Sequence, residues 1–450
     1  MGLGRSKTIE ILRKRGLLGA LAYAWRKQGG RLEDGLASLY YKALWRLGRP
    51  LPKNYKGLVI YGGVSGGAAL SSFLKRSAGV DTVSSWGANF GKIDRFYGAT
   101  YKIASRPSQG LLIYCHAGFD CYSREESARF FSLCDKEVPV IFLVRDPISR
   151  LKGYANHSID IWEHKSDMLT LMHDPDRMLN RIAYHGSIDE PMRENPSPES
   201  IKHFFTKEDI FWTYSLLKML PRTKEIFYLD MSEITGDRTW DTLVDLSTRF
   251  DLPRPKLEDK DFFCKKHWDT VTKLGQLSLL AHPSHIGKAY SPAASLTYYQ
   301  IYSRNALLRE LGPSGARLFF SKNPRHDLRD PESNTPYKDI TTEILGLHKI
   351  YIYIYIYISY ADYEILRGNA ELYAATKAYV HRFMQALDRR VKLENEKLVT
   401  EEAVLEYLAR DKATARILKE KFEYEFQDLE RRRPDIVDSW SHYKKFKNLF

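Results

Sequence analysis

Apolar residues fall into two kinds of pattern along the chain. Up to about residue 50 they recur at helical spacing: Ile9, Leu12, Leu17, Leu18 and Leu21, then Leu36, Leu39, Tyr40, Leu44 and Leu47. From Gly57 onward short unbroken apolar runs alternate with helical stretches. Gly57–Tyr61, Gly110–Cys115, Val138–Val144 and Lys224–Leu229 read as strands. Residues 68–76, 123–135, a stretch from Ile148, and 240–250 read as helices. Unbroken runs predict strands buried on both faces, and strands alternating with helices predict an α/β fold with a doubly wound parallel sheet.

The rest of the chain reads differently. Pro50 and Pro52 close a basic amphipathic helical arm over 1–56, and the α/β core spans 57–256. Pro283, Pro292, Pro313, Pro324, Pro331 and Pro336 break up 257–349, which reads as an insertion or a lid-like region. Ile350 to Ile358 alternates Ile and Tyr without interruption, which would place Tyr on one face of a strand and Ile on the other. A TA-repeat tract in the gene would also encode this run, so it reads either as a structural strand or as the by-product of a simple-sequence repeat. Residues 359–450 read as a helical C-terminal extension with balanced charge: a solvated bundle, or an oligomerisation element.

A chain of 450 residues suits roughly two to three domains. Hydrophobic residues at 43% and charged residues at 28% exclude a disordered tail or a membrane bundle. The net charge of +13 is concentrated in the arm: residues 1–56 hold 13 basic and 3 acidic residues. A basic head on a near-neutral body excludes a general nucleic-acid binder and suits an anionic membrane surface instead. Cys115, Cys121, Cys134 and Cys264 have no paired or zinc-binding spacing, so a reduced cytoplasmic setting without a metal site is expected. No apolar run is long enough to span a bilayer, and the run Leu17–Trp25 is too short and poorly flanked for a signal peptide.

Candidate chemistry gathers just past strand ends. Gly62-Gly-Val-Ser-Gly-Gly67 follows the first strand and opens a helix. Its glycines let backbone N–H groups approach an anion at a helix N-terminus. The same residues, Gly63-Val-Ser65-Gly-Gly67, spell the G-x-S-x-G turn of a hydrolase nucleophile, although no other strand precedes them. His116 follows the second predicted strand. Arg145-Asp-Pro-Ile-Ser-Arg150 follows the third, with Pro147 opening a helix and two guanidiniums suited to bidentate phosphate binding.

These residues resemble the sulfotransferases that use 3′-phosphoadenosine 5′-phosphosulfate (PAPS). That family has a Pro-Lys-Ser-Gly-Thr-Thr loop after its first strand, and here Ser65, Gly66 and Leu70 match it. Its later Arg-Asp/Asn-Pro motif, followed by a second Arg, matches Arg145, Asp146, Pro147 and Arg150. The run from Phe227 through Asp230 and Glu233 to Pro253 resembles a further family feature, an acidic turn and helix after a strand. The resemblance covers about 57–255 and extends to an uncharacterised bacterial domain family, which would account for the C-terminal half. It implies a sulfotransferase/P-loop type fold. It also implies PAPS as cofactor, held by Gly63, Val64, Ser65, Gly66, Gly67, Ala68, Arg145, Arg150 and Gly153, with His116 as the catalytic base. The expected activity is sulfuryl transfer to a hydroxyl of a carbohydrate or surface-glycan precursor, with the basic arm at the inner membrane.

The departures from the family are specific. Val64 stands where the family has a Lys or Arg, Gly67 and Ala68 where it has Thr, and Gly153 where it has the 3′-phosphate Ser. Lys75, Arg106 and Arg124 are candidates to supply the missing cation. Two alternatives stand beside the transferase: a serine hydrolase using Ser65, and a catalytically inactive nucleotide-binding protein of the same fold. Asp174-Pro-Asp176 has the D-x-D spacing of a glycosyltransferase metal site, at a frequency expected by chance.

Overall fold

A computed structural model describes residues 38–85, 92–106, 110–116, 123–157, 168–184, 196–202, 210–264, 278–288, 314–321, 335–346 and 354–450. The chain forms two compact units. Unit 1 takes residues 1–151, 202–265 and 405–450; unit 2 takes 152–201 and 266–404.

Unit 1 is built on a parallel sheet. Its strands are β1 (Gly57–Tyr61), β2 (Asp81–Ser84), β3 (Leu111–His116), β4 (Val138–Val144) and β6 (Thr223–Asp230), in the order β2-β3-β1-β4-β6. All four pairings are parallel. β1 is buried along its whole length, as its unbroken apolar sequence requires. Val59, Leu70, Phe73, Ile141, Leu143, Leu243 and Phe250 pack into one core cluster. Four of the five strands follow the apolar runs; β2 does not, because it is four residues long and only Val83 is buried.

β1 is the central strand, and the chain leaves it towards β2 but leaves β4 towards β6. Connections therefore diverge between two neighbouring strands, and a crevice opens at their carboxyl ends. The Gly62–Gly67 turn follows β1, and Arg145 follows β4.

Residues 405–450 belong to unit 1 rather than to a separate extension. The helix Lys412–Arg432 presents Ala415, Leu418, Phe422, Phe426 and Leu429, a buried stripe at helical spacing. Asp411 caps it by accepting the Thr414 N–H at 3.0 Å.

Unit 2 holds a mixed sheet of β5 (Met168–Thr170), β7 (Ser278–Ala281), β8 (Ala316–Ser321), β9 (Lys338–Asp339) and β10 (Tyr355–Ile358), in the order β5-β7-β8-β10-β9. The region expected to be an insertion or lid thus supplies three strands of a second sheet, separated by the prolines that obscured them. The Tyr-Ile run is a strand over Tyr355–Ile358, paired antiparallel with both β8 and β9. Ile356 and Ile358 are fully buried, in one cluster with Phe320 and with Leu372, Tyr379 and Phe383 of the helix Ala370–Glu396. The first residues of the repeat, 350–353, lie outside the described residues, as do 1–37 of the arm. The described end of the arm packs on unit 1: Trp45 is buried beneath the Arg129 guanidinium, which donates to the Trp45 carbonyl at 2.7 Å.

Candidate functional site

The turn after β1 is shaped by close packing. Val64 (φ 61°) and Gly66 (φ 97°) are left-handed. A Cβ at Gly62 would strike the Arg150 guanidinium, and one at Gly67 would strike the Tyr61 ring. The helix Gly67–Ala78 then begins with no side-chain cap and no acidic residue in its first turn. The amides of Gly63, Val64 and Gly66 have no hydrogen-bond acceptor among the described residues. Three unengaged N–H groups at a helix N-terminus suit an anion. Ala68 is exposed in the first helical turn, with Gly63 and Val64 half-buried beside it.

Ser65 points away from that opening. It is 1% exposed, and its hydroxyl donates to the Gly62 carbonyl at 2.6 Å. A nucleophile elbow needs an accessible Oγ beside a base, and this hydroxyl is neither accessible nor near an imidazole partner that the structure describes.

Arg145 lies across the turn. Its Nη1 donates to the Val64 carbonyl at 2.8 Å. His116 ends β3 and pairs in register with Tyr61 of β1, their rings 5.0 Å apart edge to face. The carboxyl ends of three adjacent strands therefore carry His116, the glycine turn and Arg145. Burial, then the positive charge of Arg150, lowers the His116 pKa to about 3, so the imidazole is neutral at physiological pH.

Arg150 departs from its expected place on the ligand side. It is 3% exposed; its guanidinium stacks 4.7 Å from the Phe211 ring and donates to the Ile210 carbonyl at 2.9 Å. The buried carboxyl of Glu425 lies in its field and accepts the Thr213 and Tyr214 N–H groups at 3.1 Å each. Burial raises the Glu425 pKa. The helix Pro147–His157 turns Arg150 inward, onto Gly62, where an internal acid answers it. Gly153 is half-buried, ~9 Å along the same helix from its first residue at 1.5 Å per residue.

Of the three candidate cations, two are at the wrong edge of the sheet. Lys75 sits in the last turn of the helix that follows β1, ~12 Å from its start. Arg106 follows the helix Ile93–Ala104, and its carbonyl accepts from Asn54 beside the amino end of β1. Arg124 opens the helix after β3 and so lies on the carboxyl edge.

Asp146 joins the site to the C-terminal segment. One carboxylate oxygen accepts Ile148 N at 2.9 Å, capping the helix Pro147–His157. The other accepts the N–H groups of His442 and Tyr443 at 3.2 Å each. Burial raises its pKa. Asp230, at the end of β6, does a similar double duty: it accepts Ser232 N at 2.8 Å and Trp440 Nε1 at 2.8 Å. These bonds bound a cleft of about 700 Å³ beside Arg145, closed by the turn after β6 and by Ser439–His442. Met231 belongs to its wall and also packs against Gly66.

Residues 228–450 match the family described as "Protein of unknown function (DUF2972)". The C-terminal half of the chain thus carries an uncharacterised domain. No curated protein matches the chain, and no solved structure does. The family-matched segment begins within β6 and supplies both the turn after it and the Ser439–His442 wall; Arg145 and the glycine turn precede it. The acidic turn of Asp230 and Glu233 was legible in the sequence, and the structure shows it as a capping box. Glu425, Trp440 and His442 were not, because nothing local marks a partner some two hundred residues away.

Among the described residues no group of three or more His, Cys, Asp or Glu is placed to hold a metal ion. Asp176 pairs with Arg389 at 2.6 Å, and Asp174 caps its own helix through Arg177 N, so both D-x-D carboxylates serve the structure of unit 2. Among the described residues no helix is long and apolar enough to cross a membrane.

Proposed function

We propose that unit 1 is a nucleotide-binding transferase of the PAPS-dependent sulfotransferase type. The observation that carries the reading is the meeting of the glycine turn and Arg145 at the diverging strands β1 and β4, with Nη1 of Arg145 2.8 Å from the Val64 carbonyl. The unengaged amides of Gly63, Val64 and Gly66 fit the anionic 5′ end of PAPS, and the positive charge of Arg145 beside the turn suits its 3′-phosphate. When bound, PAPS would supply the sulfuryl group. Neutral His116 would accept the hydrogen of a carbohydrate hydroxyl beside it. The basic arm would bring the protein to an anionic membrane surface, where glycan precursors are built.

A second reading, nucleotide binding without transfer, has specific support. Val64 holds no charge to stabilise a leaving oxygen, and Arg150 faces the interior. His116, with its pKa near 3, is a weak base.

Calorimetric titration with adenosine 3′,5′-bisphosphate tests both readings, with 5′-AMP as control. Micromolar binding that needs the 3′-phosphate and disappears in Arg145→Ala is expected. Equal affinity for 5′-AMP, or none for either nucleotide, overturns the assignment. Turnover of labelled PAPS then separates transferase from binding protein.

A further inference from the structure

The cleft beside Arg145 has a composition that the nucleotide reading does not use. Its volume of about 700 Å³ lies within the range of small-molecule sites. Its lining offers two kinds of group: the guanidinium of the exposed Arg238, with Arg145 half-buried beside it, and the hydroxyls of Ser232 and Ser441 together with those of Thr235 and Ser439, which donate to the Met231 and Ile436 carbonyls and keep their oxygens as acceptors. Arg238 is exposed and has no hydrogen-bond or ion-pair partner among the described residues, even with Asp237 next to it in sequence.

The carboxylates of the lining are largely engaged elsewhere. Asp146 accepts backbone N–H groups from the starts of two helices, whose dipoles offset its charge. Asp230 is tied to Ser232 N and Trp440 Nε1, with Arg433 in its field. Of the lining's carboxylates, only Asp237 is exposed beside Arg238.

The aromatic lining of the cleft is small. Trp440, which lines it, is turned into the interior against Phe426, 5.1 Å between ring centroids, and is 3% exposed. Among the lining residues a nucleobase would find only the half-buried His442 imidazole to stack on. A small hydroxylated anion would find cations for its charge and hydroxyls for its own.

We infer that this cleft is a binding site for a phosphorylated sugar, its phosphate held by Arg238 and its hydroxyls met by Ser232, Ser439 and Ser441. The site stands whether or not the glycine turn takes a nucleotide, because Arg238 and the serines are absent from that turn.

The test is titration of the full chain with glucose 1-phosphate, inorganic phosphate and glucose. Glucose 1-phosphate should bind at least about tenfold more tightly than inorganic phosphate, and glucose should not bind. Arg238→Ala should weaken glucose 1-phosphate by about tenfold or more, as loss of a charge-assisted contact does. It should leave the affinity for adenosine 3′,5′-bisphosphate unchanged. Ser439→Ala, a milder change on the opposite wall, should weaken the sugar phosphate while sparing inorganic phosphate. Binding that Arg238→Ala does not weaken overturns the inference, as does glucose binding as well as its phosphate. A parallel loss of nucleotide binding in Arg238→Ala also overturns it, by making the cleft part of the nucleotide site.

Discussion

In unit 1 every strand runs parallel to its neighbours, and the carboxyl edge of the sheet ends in the glycine turn, His116, Arg145 and Asp230. In unit 2 only β5 and β7 pair in parallel; the other pairings are antiparallel, and Ile356 and Ile358 of β10 pack in one cluster with a long helix. Both units bury charged groups, in different places. Unit 1 buries Arg150, Asp146 and Asp230 at or just past the carboxyl ends of its strands. Unit 2 buries Asp362 and Glu394 within its helices Tyr360–Gly368 and Ala370–Glu396. A parallel sheet brings all its strand ends to one edge, so polar groups converge there and need internal partners. A mixed sheet scatters its ends.

Removing the buried acid of unit 1 should break it hardest. Glu425→Leu leaves the Thr213 and Tyr214 N–H groups without their acceptor and takes a buried acid out of the field of Arg150, and should cost about 3–5 kcal/mol. Urea denaturation gives the loss, and hydrogen exchange locates it: amides of β1 and β4 should lose protection while those of β10 keep theirs. Protection lost equally in both sheets would show that the effect is not local to unit 1.

The converse change is Ile356→Ala. It opens a cavity in the apolar cluster and should cost about 3 kcal/mol, within the 2–5 usual for such truncations. Here exchange should quicken in β8 and β10. Tyr355→Thr, on the half-buried side of the same strand, should cost less than 1 kcal/mol, roughly a surface substitution. Similar costs for the two would mean that the repeat does not present distinct faces.

Ser65→Ala should also be mild. It deletes one buried hydroxyl bond to Gly62 and should cost about 1 kcal/mol. Because that hydroxyl is turned inward, the unaltered protein should not react with a fluorophosphonate probe. Labelling that Ser65→Ala abolishes would revive the hydrolase reading.

The elements of unit 1 were legible where a local rule governs them. Unbroken apolar runs marked β1, β3, β4 and β6, and Asp230 and Glu233 marked the acidic turn after β6, which the structure closes as a capping box. The glycine turn and Arg145 were legible for the same reason, since each lies within a few residues of a strand end. β2 escaped notice because a four-residue edge strand has too little apolar pattern to register. Of the strands of unit 2, β10 was legible in the Tyr-Ile alternation; β5, β7, β8 and β9 escaped because prolines and long connections separate short segments that make sense only once paired.

What this sequence determined by itself is the succession of strands and helices, the concentration of basic residues in the arm, and the placing of glycine and arginine just past strand ends. These depend on neighbours along the chain. Only the tertiary structure decided that Arg150 faces inward onto Gly62 rather than outward to a ligand. It also decided that Glu425, Trp440 and His442 return from the C-terminus to complete the carboxyl edge, and that Arg238 lines a cleft with no partner among the described residues. The physical reason is that a buried charge or an uncapped helix must find a partner somewhere, but nothing in its local sequence says where. The Trp440–Asp230 bond joins residues 210 positions apart, and only the packing of the last helices on the sheet brings them together.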